Sequence, residues 1–257
     1  MKKILFFVLL LILLQSVVVS ALNSGDARDD WIDAKEATLD AKIKHEDAKA
    51  NHAKDKTPEN QEKVVDTGKV LLNSALDEAE AWLIWKDTEA KENQNVPDDI
   101  KDAIKRDVEK NLQKIETLRA EVDSVKNGLE LGVVFIKMVG SYVELLVDVA
   151  KNTGNMWVHV LNVYLDNLEK AGDKVMAAAE KANNEKAIGE MNSFFDDLKD
   201  ARDNVDKADD SYSFVVTPGT PFIKFTEGNN YLNMAKLKAI SAHQHLNDAF
   251  RLVTRGE

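Results

Sequence analysis

The sequence predicts an all-α fold, an elongated antiparallel helical bundle of about six to seven helices with coiled-coil-like packing. Three observations point there. Only 4 prolines and 11 glycines occur in 257 residues, and most of them separate long stretches of helical period. A repeat of Asp26-Ala27-Arg28, Asp33-Ala34-Lys35, Asp40-Ala41-Lys42 and Asp47-Ala48-Lys49 recurs every seven residues, which returns the same helix face. Further on, Ile104, Val108, Asn111, Ile115, Leu118, Val122 and Val125 step by four and three in alternation, the spacing of a coiled-coil seam.

Ahead of the helices stands a targeting segment. Lys2 and Lys3 precede an apolar run from Ile4 to Leu14 that Gln15 and Ser16 interrupt and Val17 to Val19 resume. A basic start, an apolar centre and the small residues of Val19-Ser20-Ala21 are the parts of a secretory signal peptide. Cleavage is expected after Ala21, so residues 1–21 are a signal peptide and 22–257 a single helical-bundle domain, with a subdivision near 127–155 as the alternative. The rival reading, an uncleaved anchor, wants about 20 unbroken apolar residues, and this run is shorter. The expected location is secreted or extracytoplasmic, on the exterior of the cell envelope.

In the first helix each repeat alanine is followed four places later by Trp31, Thr38, His45 or His52, so a small residue alternates with a larger one along the seam. Thr57-Pro58-Glu59 starts the second helix, with a capping hydroxyl, a proline where its missing N–H costs nothing, and an acid at the positive end of the helix dipole. Its stripe runs through Val64 or Val65, Leu71 or Leu72, Ala75, Ala79, Trp82 and Lys86 to about Asn93. Pro97-Asp98-Asp99 is expected to start the third helix in the same manner, Asn111 to fix its register, and Asn127-Gly128 to stop it. Leu129 to Ala150 is apolar nearly all round and reads as the buried centre of a bundle. Asn152-Thr153-Gly154-Asn155 reads as a break. Trp157, Leu161, Tyr164, Leu168, Val175 and Ala179 then mark a fifth helix, and Ile188, Met191, Phe195, Leu198 and Val205 a sixth that can extend to Tyr212. Asn183-Asn184 between these two is compatible with either a hairpin or one long rod. Pro218 and Pro221 make Ser213 to Phe225 a non-helical crossing. A last helix is expected from about Asn229 to Val253.

Charge and composition narrow the function classes. With Lys2 and Lys3 removed, 32 basic side chains face 45 acidic ones, a formal charge of −13, and no basic stripe exists to hold a polyanion. Nucleic acid is therefore excluded as a partner, and stable membrane insertion after signal cleavage is not expected. With no cysteine there is no disulfide scaffold, thiolate metal site or cysteine nucleophile. No Asn-x-Ser/Thr triplet occurs, so N-glycosylation of the usual kind is not expected.

The usual signatures of chemistry are missing. His45 and His52 share a face but stand about 10.5 Å apart along the axis at 1.5 Å per residue, too far to chelate one ion. His243 and His245 point to different sides of their helix, and His159 beside Trp157 reads as structural. Neither Glu-x-x-His nor His-Glu-x-x-His occurs. Asp197, Asp200, Asp203, Asp206 and Asp209 drift around their helix and read as a solvated face, with weak divalent-cation binding the most they would support. There is no nucleophile elbow and no phosphate loop. No cofactor, metal ligand or catalytic residue is assigned, and the chain is not expected to be an enzyme. The candidate interaction residues are Trp31, His45, His52, Trp82 and Trp85, with core packing the competing reading of the tryptophans.

The Asp-Ala-Lys heptads, Thr57-Pro58-Glu59-Asn60, Ala81-Trp82-Leu83-Ile84-Trp85-Lys86, Val96-Pro97-Asp98-Asp99, the Leu129 to Ala150 run and Pro218-Gly219-Thr220-Pro221 together carry a resemblance. In their order they resemble a group of secreted α-helical proteins of archaea, methanogens especially. The resemblance implies location and fold and brings no catalytic residue with it. The expected function is a non-catalytic structural or protein-interaction bundle that binds a protein partner or itself through helix faces. A carrier of a hydrophobic ligand, enclosed near Leu129 to Ala150, is the alternative.

Overall fold

A computed structural model of the chain describes residues 25–255, so the expected signal segment lies outside the described residues. Seven α-helices occur there and no strand: α1 Gly25–Lys54, α2 Pro58–Glu92, α3 Asp98–Ser124, α4 Gly128–Leu145, α5 Lys151–Lys181, α6 Glu185–Ser213 and α7 Pro221–Arg255. A π turn, Leu146–Ala150, joins α4 to α5 without a loop, which leaves six uninterrupted helical runs. The chain forms two compact units, divided between Asn152 and Thr153.

In the N-terminal unit successive helices pack antiparallel, and the polar contacts show the direction. Between α1 and α2, the Thr38 hydroxyl meets the Ser74 carbonyl at 2.9 Å and His45 Nδ1 meets the Thr67 hydroxyl at 3.1 Å. Between α2 and α3, Asn73 pairs with Asp123 and Arg119 bridges Asp77 and Glu80. Between α3 and α4, Lys110 holds Asp148 at 2.7 Å, Lys114 holds Glu144, and Lys137 holds Glu121 at 2.7 Å. In each pair the numbers fall on one helix as they rise on the other. The heptad seam of α1 is internal as expected, with Trp31, Thr38, Ala41, His45 and Ala48 buried. All seven expected seam residues of α3 are buried too.

Local signals explain the ends. Thr57 caps α2 by accepting from the Asn60 N–H at 3.2 Å, with Pro58 next to it. Pro97 proves to be the N-cap residue of α3 itself, so the helix begins with no side-chain cap. Asn127 acts as a start more than a stop. Its Oδ1 accepts from the N–H groups of Leu129 and Glu130 at 3.1 and 3.0 Å, while the Glu130 carboxylate reaches back to the Lys126 N–H at 2.7 Å. This resembles a capping box, with Glu130 reaching the N–H one residue ahead of the cap.

In the C-terminal unit α5, α6 and α7 also run antiparallel. Arg202 binds Asp166 and Glu169, and Lys238 binds Asp197 and Asp200. Helices α5 and α6 form a hairpin. Asn183 takes the left-handed conformation at φ 47°, and its N–H and that of Asn184 return to the carbonyls of Glu180 and Ala179 at 3.0 Å, a Schellman closure.

Three sequence expectations are corrected here. The Asn152 to Asn155 break does not exist, because α5 runs through it with Thr153 and Gly154 buried. Gly154 is there for packing: a Cβ on it would stand 2.6 Å from the Tyr212 ring, as would one on Gly228 of α7. The non-helical crossing is shorter than expected, because Pro221 is the first residue of α7 and the helix starts eight residues before Asn229. The apolar Leu129 to Ala150 stretch is a buried centre on one side only: Val134, Met138, Tyr142, Leu145, Val149 and Ala150 are buried, while Leu129, Val133 and Ile136 are exposed.

Candidate functional site

The residues expected to form an interaction surface are mostly internal. Trp31 and Trp85 stack with their ring centroids 5.0 Å apart, and Trp82 is also buried. His45 lies in the α1–α2 seam, where its Nδ1–H donates to a Thr67 hydroxyl that itself donates to the Lys63 carbonyl at 2.7 Å. Burial holds the imidazole below its ordinary value, with Lys49 acting in the same direction and Glu46 against. His52 is half-buried at the end of the same seam. These five side chains pack α1 against α2 and present no shared exposed face. A tryptophan three residues from another can line a groove or fill a core, and the bulk of both helices decides for the core.

The same core holds charge, of which the sequence stripe marked Lys86 and passed over Glu78 and Glu89. Lys86 and Glu89 are paired at 3.0 Å with side chains 3% and 5% exposed, and the Lys86 ammonium sits 3.3 Å from the Trp85 ring centroid. Burial pulls the ammonium below its usual value and Glu89 opposes it. Eight residues before Lys86, Glu78 is 2% exposed and neither carboxylate oxygen has a hydrogen-bond partner. Burial pushes its carboxyl up to about 7, with the nearby Thr38 hydroxyl and Lys35 ammonium opposing. The Thr38 hydroxyl is already engaged with the carbonyls of Ala34 and Ser74, and the Tyr142 hydroxyl donates to the Ala75 carbonyl. Glu78 is therefore a neutral acid in the interior at mildly acidic pH. Nothing around it resembles a substrate site.

A small cleft between α2, α3 and α4 is lined by Leu76, Asn111, Ile115, Leu118, Ser141 and Tyr142. It offers about 20 Å³, room for roughly one water. Asn111 beside it donates to the Asp107 carbonyl of its own helix at 2.8 Å. Among the described residues no group of three His, Asp or Glu side chains is placed to hold a metal ion. Of the acidic series on α6, Asp197 and Asp200 are bound to Lys238 and Asp203 to Lys199.

One face of α4 is uncovered, as are Ile223, Met234, Leu237, Ile240 and Phe250 of α7. Leu129, Val133 and Ile136 are 81%, 49% and 70% exposed, and Val143 is half-exposed on the same line. Gly132 and Gly140 belong to this face, and a Cβ on either would meet nothing within 4 Å. No contact inside the fold requires those glycines, although glycine costs a helix about 1 kcal/mol against alanine. Leu129, Val133, Ile136, Gly140 and Val143 step four, three, four, three, the rhythm of the buried α3 seam. The helix thus carries two apolar seams, one spent inside the unit and one facing out. Among the described residues no helix is long and apolar enough to cross a membrane. No protein family, no curated protein and no solved structure matches this chain.

Proposed function

We propose that this chain is an exported, non-catalytic helical protein that works by protein–protein contact at the cell exterior, through the open seam of α4. The observation that carries the reading is that seam: Leu129, Val133 and Ile136 stay largely exposed in heptad register. Contiguous apolar surface of this kind marks interaction sites, because leaving it in water costs free energy that a partner recovers. The export half rests on Lys2, Lys3 and the apolar run that follows them. The resemblance to secreted helical proteins of archaea agrees with it. The carrier alternative draws no support from the α2–α3–α4 cleft, which has space for a water and not for a hydrophobic ligand.

The test is to recover the chain from its native cells, sequence its N-terminus and measure its size in gentle envelope extract. The expected result is a chain that begins at Leu22 and travels in an assembly larger than itself, and that Ile136→Asp releases. An intact Met1 in the cytosol would defeat the export half. An assembly indifferent to Ile136→Asp would defeat the interface half.

A further inference from the structure

We propose that α1 is a releasable cover on α2. It stays docked while Glu78 keeps its proton and lifts when Glu78 gives it up, uncovering the α2 face that carries Trp85. The cover is independent of the contact proposed for α4. Among the described residues the buried acids, ammonium and imidazole are Glu78, Glu89, Lys86 and His45, and all four belong to α1 or α2. A change of protonation therefore acts on this pair of helices before any other. The cost of burying an unpaired charge is what gives such a change its force.

The helix that yields is α1, because little holds it. It packs on α2, and no other helix of its unit covers it to a comparable extent. Its buried residues are Trp31, Thr38, Ala41, His45 and Ala48, so one tryptophan and two alanines supply its apolar contact, while Leu39 and Ile43 are exposed. By contrast α3 buries Ile104, Val108, Ile115, Leu118 and Val122. Buried apolar surface is what resists local opening, and α1 has little of it. The short connection 55–57 between the two helices can serve as the hinge.

Glu78 is the trigger because of what surrounds it. It is 2% exposed, and neither carboxylate oxygen has a hydrogen-bond partner. From α1 it meets Thr38, whose hydroxyl is engaged by the Ala34 and Ser74 carbonyls, and Lys35, whose ammonium lies 5.5 Å from the Trp31 ring. From α4 it meets Tyr142, whose hydroxyl donates to the Ala75 carbonyl. Arg119 of α3 is engaged by Asp77 and Glu80. Ionised Glu78 gains water when α1 lifts, and this is the differential that moves the equilibrium. His45 works in the other direction: it is buried against the Thr67 hydroxyl and the Val64 backbone, with Lys49 and Glu46 of its own helix beside it, so protonation loosens the same seam. That opposition acts below pH 6.5, and above it the ionisation of Glu78 is unopposed.

The experiment is hydrogen exchange of the purified chain, read by mass spectrometry as protection relative to unstructured peptide at pH 4.5 and pH 8, with circular dichroism to confirm that each variant folds. Undocked, α1 loses the packing that sustains most of a helix in water, so its amides exchange. Because α1 opens separately, the amides of 34–45 should be protected at least about tenfold less than those of 108–118 in α3. The protection of 34–45 in Glu78→Gln relative to wild type should rise by up to about 300-fold from pH 4.5 to pH 8, which is the displacement from 4.5 to about 7 at tenfold per pH unit. His45→Gln keeps the trigger and removes the opposing imidazole, so its own protection at 34–45 should fall by a similar factor over that interval. Equal protection of α1 and α3 overturns the releasable cover, since the unit then opens only as a whole. A Glu78→Gln ratio that does not change with pH overturns Glu78 as the trigger. If Glu78→Gln does not fold, a His45→Gln chain whose α1 protection is flat from pH 4.5 to pH 8 overturns it equally.

Discussion

Glu78→Gln should abolish the pH dependence that one buried acid imposes on the N-terminal unit. The carboxyl of Glu78 moves from 4.5 to about 7 on folding, because burial disfavours its charged form. Below pH 4.5 it is protonated in both states and costs nothing. Between 4.5 and 7 the unfolded chain releases the proton while the folded chain keeps it, so stability falls as pH rises. Above 7 the loss is complete. At about 1.4 kcal/mol for each pH unit, the interval amounts to about 3 kcal/mol.

Glutamine keeps the shape and cannot ionise, so the variant should lack this slope. The assay is urea unfolding of both chains at pH 4.5 and pH 8, followed by tryptophan emission, since Trp31, Trp82 and Trp85 all lie in the unit concerned. Any constant cost of burying the amide cancels when the variant's stability relative to wild type is compared between the two pH values. So does the opposing contribution of His45, whose lowered value makes the fold less stable as pH drops below 6.5. The variant should gain about 3 kcal/mol on wild type between pH 4.5 and 8. If the two chains keep the same difference at both pH values, Glu78 is not a buried neutral acid and the packing of α2 against α1 and α4 is other than described.

Two further outcomes follow from the packing. Gly154→Ala and Gly140→Ala should have opposite signs: the first drives a methyl into the Tyr212 ring and should lose about 1–3 kcal/mol, while the second meets open space and should gain up to about 1 kcal/mol of monomer stability. Thermal melts at a concentration too low for self-association read both, and a stabilised Gly154→Ala would contradict the close approach at Tyr212. For the buried pair, Lys86→Met leaves Glu89 without its counter-charge and should cost about 3–5 kcal/mol, whereas Lys86→Met with Glu89→Leu should recover most of it. Equal losses in the single and double variants, by urea titration, would show that the pair's packing matters and its charge does not.

The sequence reveals helices and seams where periodicity carries the information. Alanine and the residue four places on repeat every seven residues in α1, and the seam of α3 reads off as four and three, so both helices are legible. Helix ends are legible only in part, because one residue type serves two purposes. A proline breaks a helix from within and begins one at its first turn, and Pro221 does the second where Pro218 alone interrupts the chain. Glycine is ambiguous in the same way. Gly154 looks like a loop residue, and its real reason is an aromatic ring contributed by Tyr212, 58 residues away. Long-range contacts of this kind leave no local trace. Buried charge is half legible for a related reason: Lys86 falls on the apolar stripe of α2 and Glu78 beside it, and only the neighbouring helices show that water is excluded from both.

The misreading of α4 bears most directly on function. A helix that is apolar nearly all round is normally buried all round, because soluble chains pay in free energy for exposed apolar side chains. Here α3 and α2 cover one seam of α4, and among the described residues of its own unit nothing covers the other. The inference from composition to burial was sound about the free energy and silent about which molecule supplies the cover. A periodic seam differs from scattered exposed leucines, because leucines tolerated at random would not keep a four-three rhythm with Gly140 on the line. The exposed apolar row and its glycines each raise the cost of the isolated helix. Both would become favourable with a second helix in the groove, where the knobs fill holes and the glycines admit the backbone. The exposed apolar row of α4 and its unused glycines are thus what the proposed contact would explain.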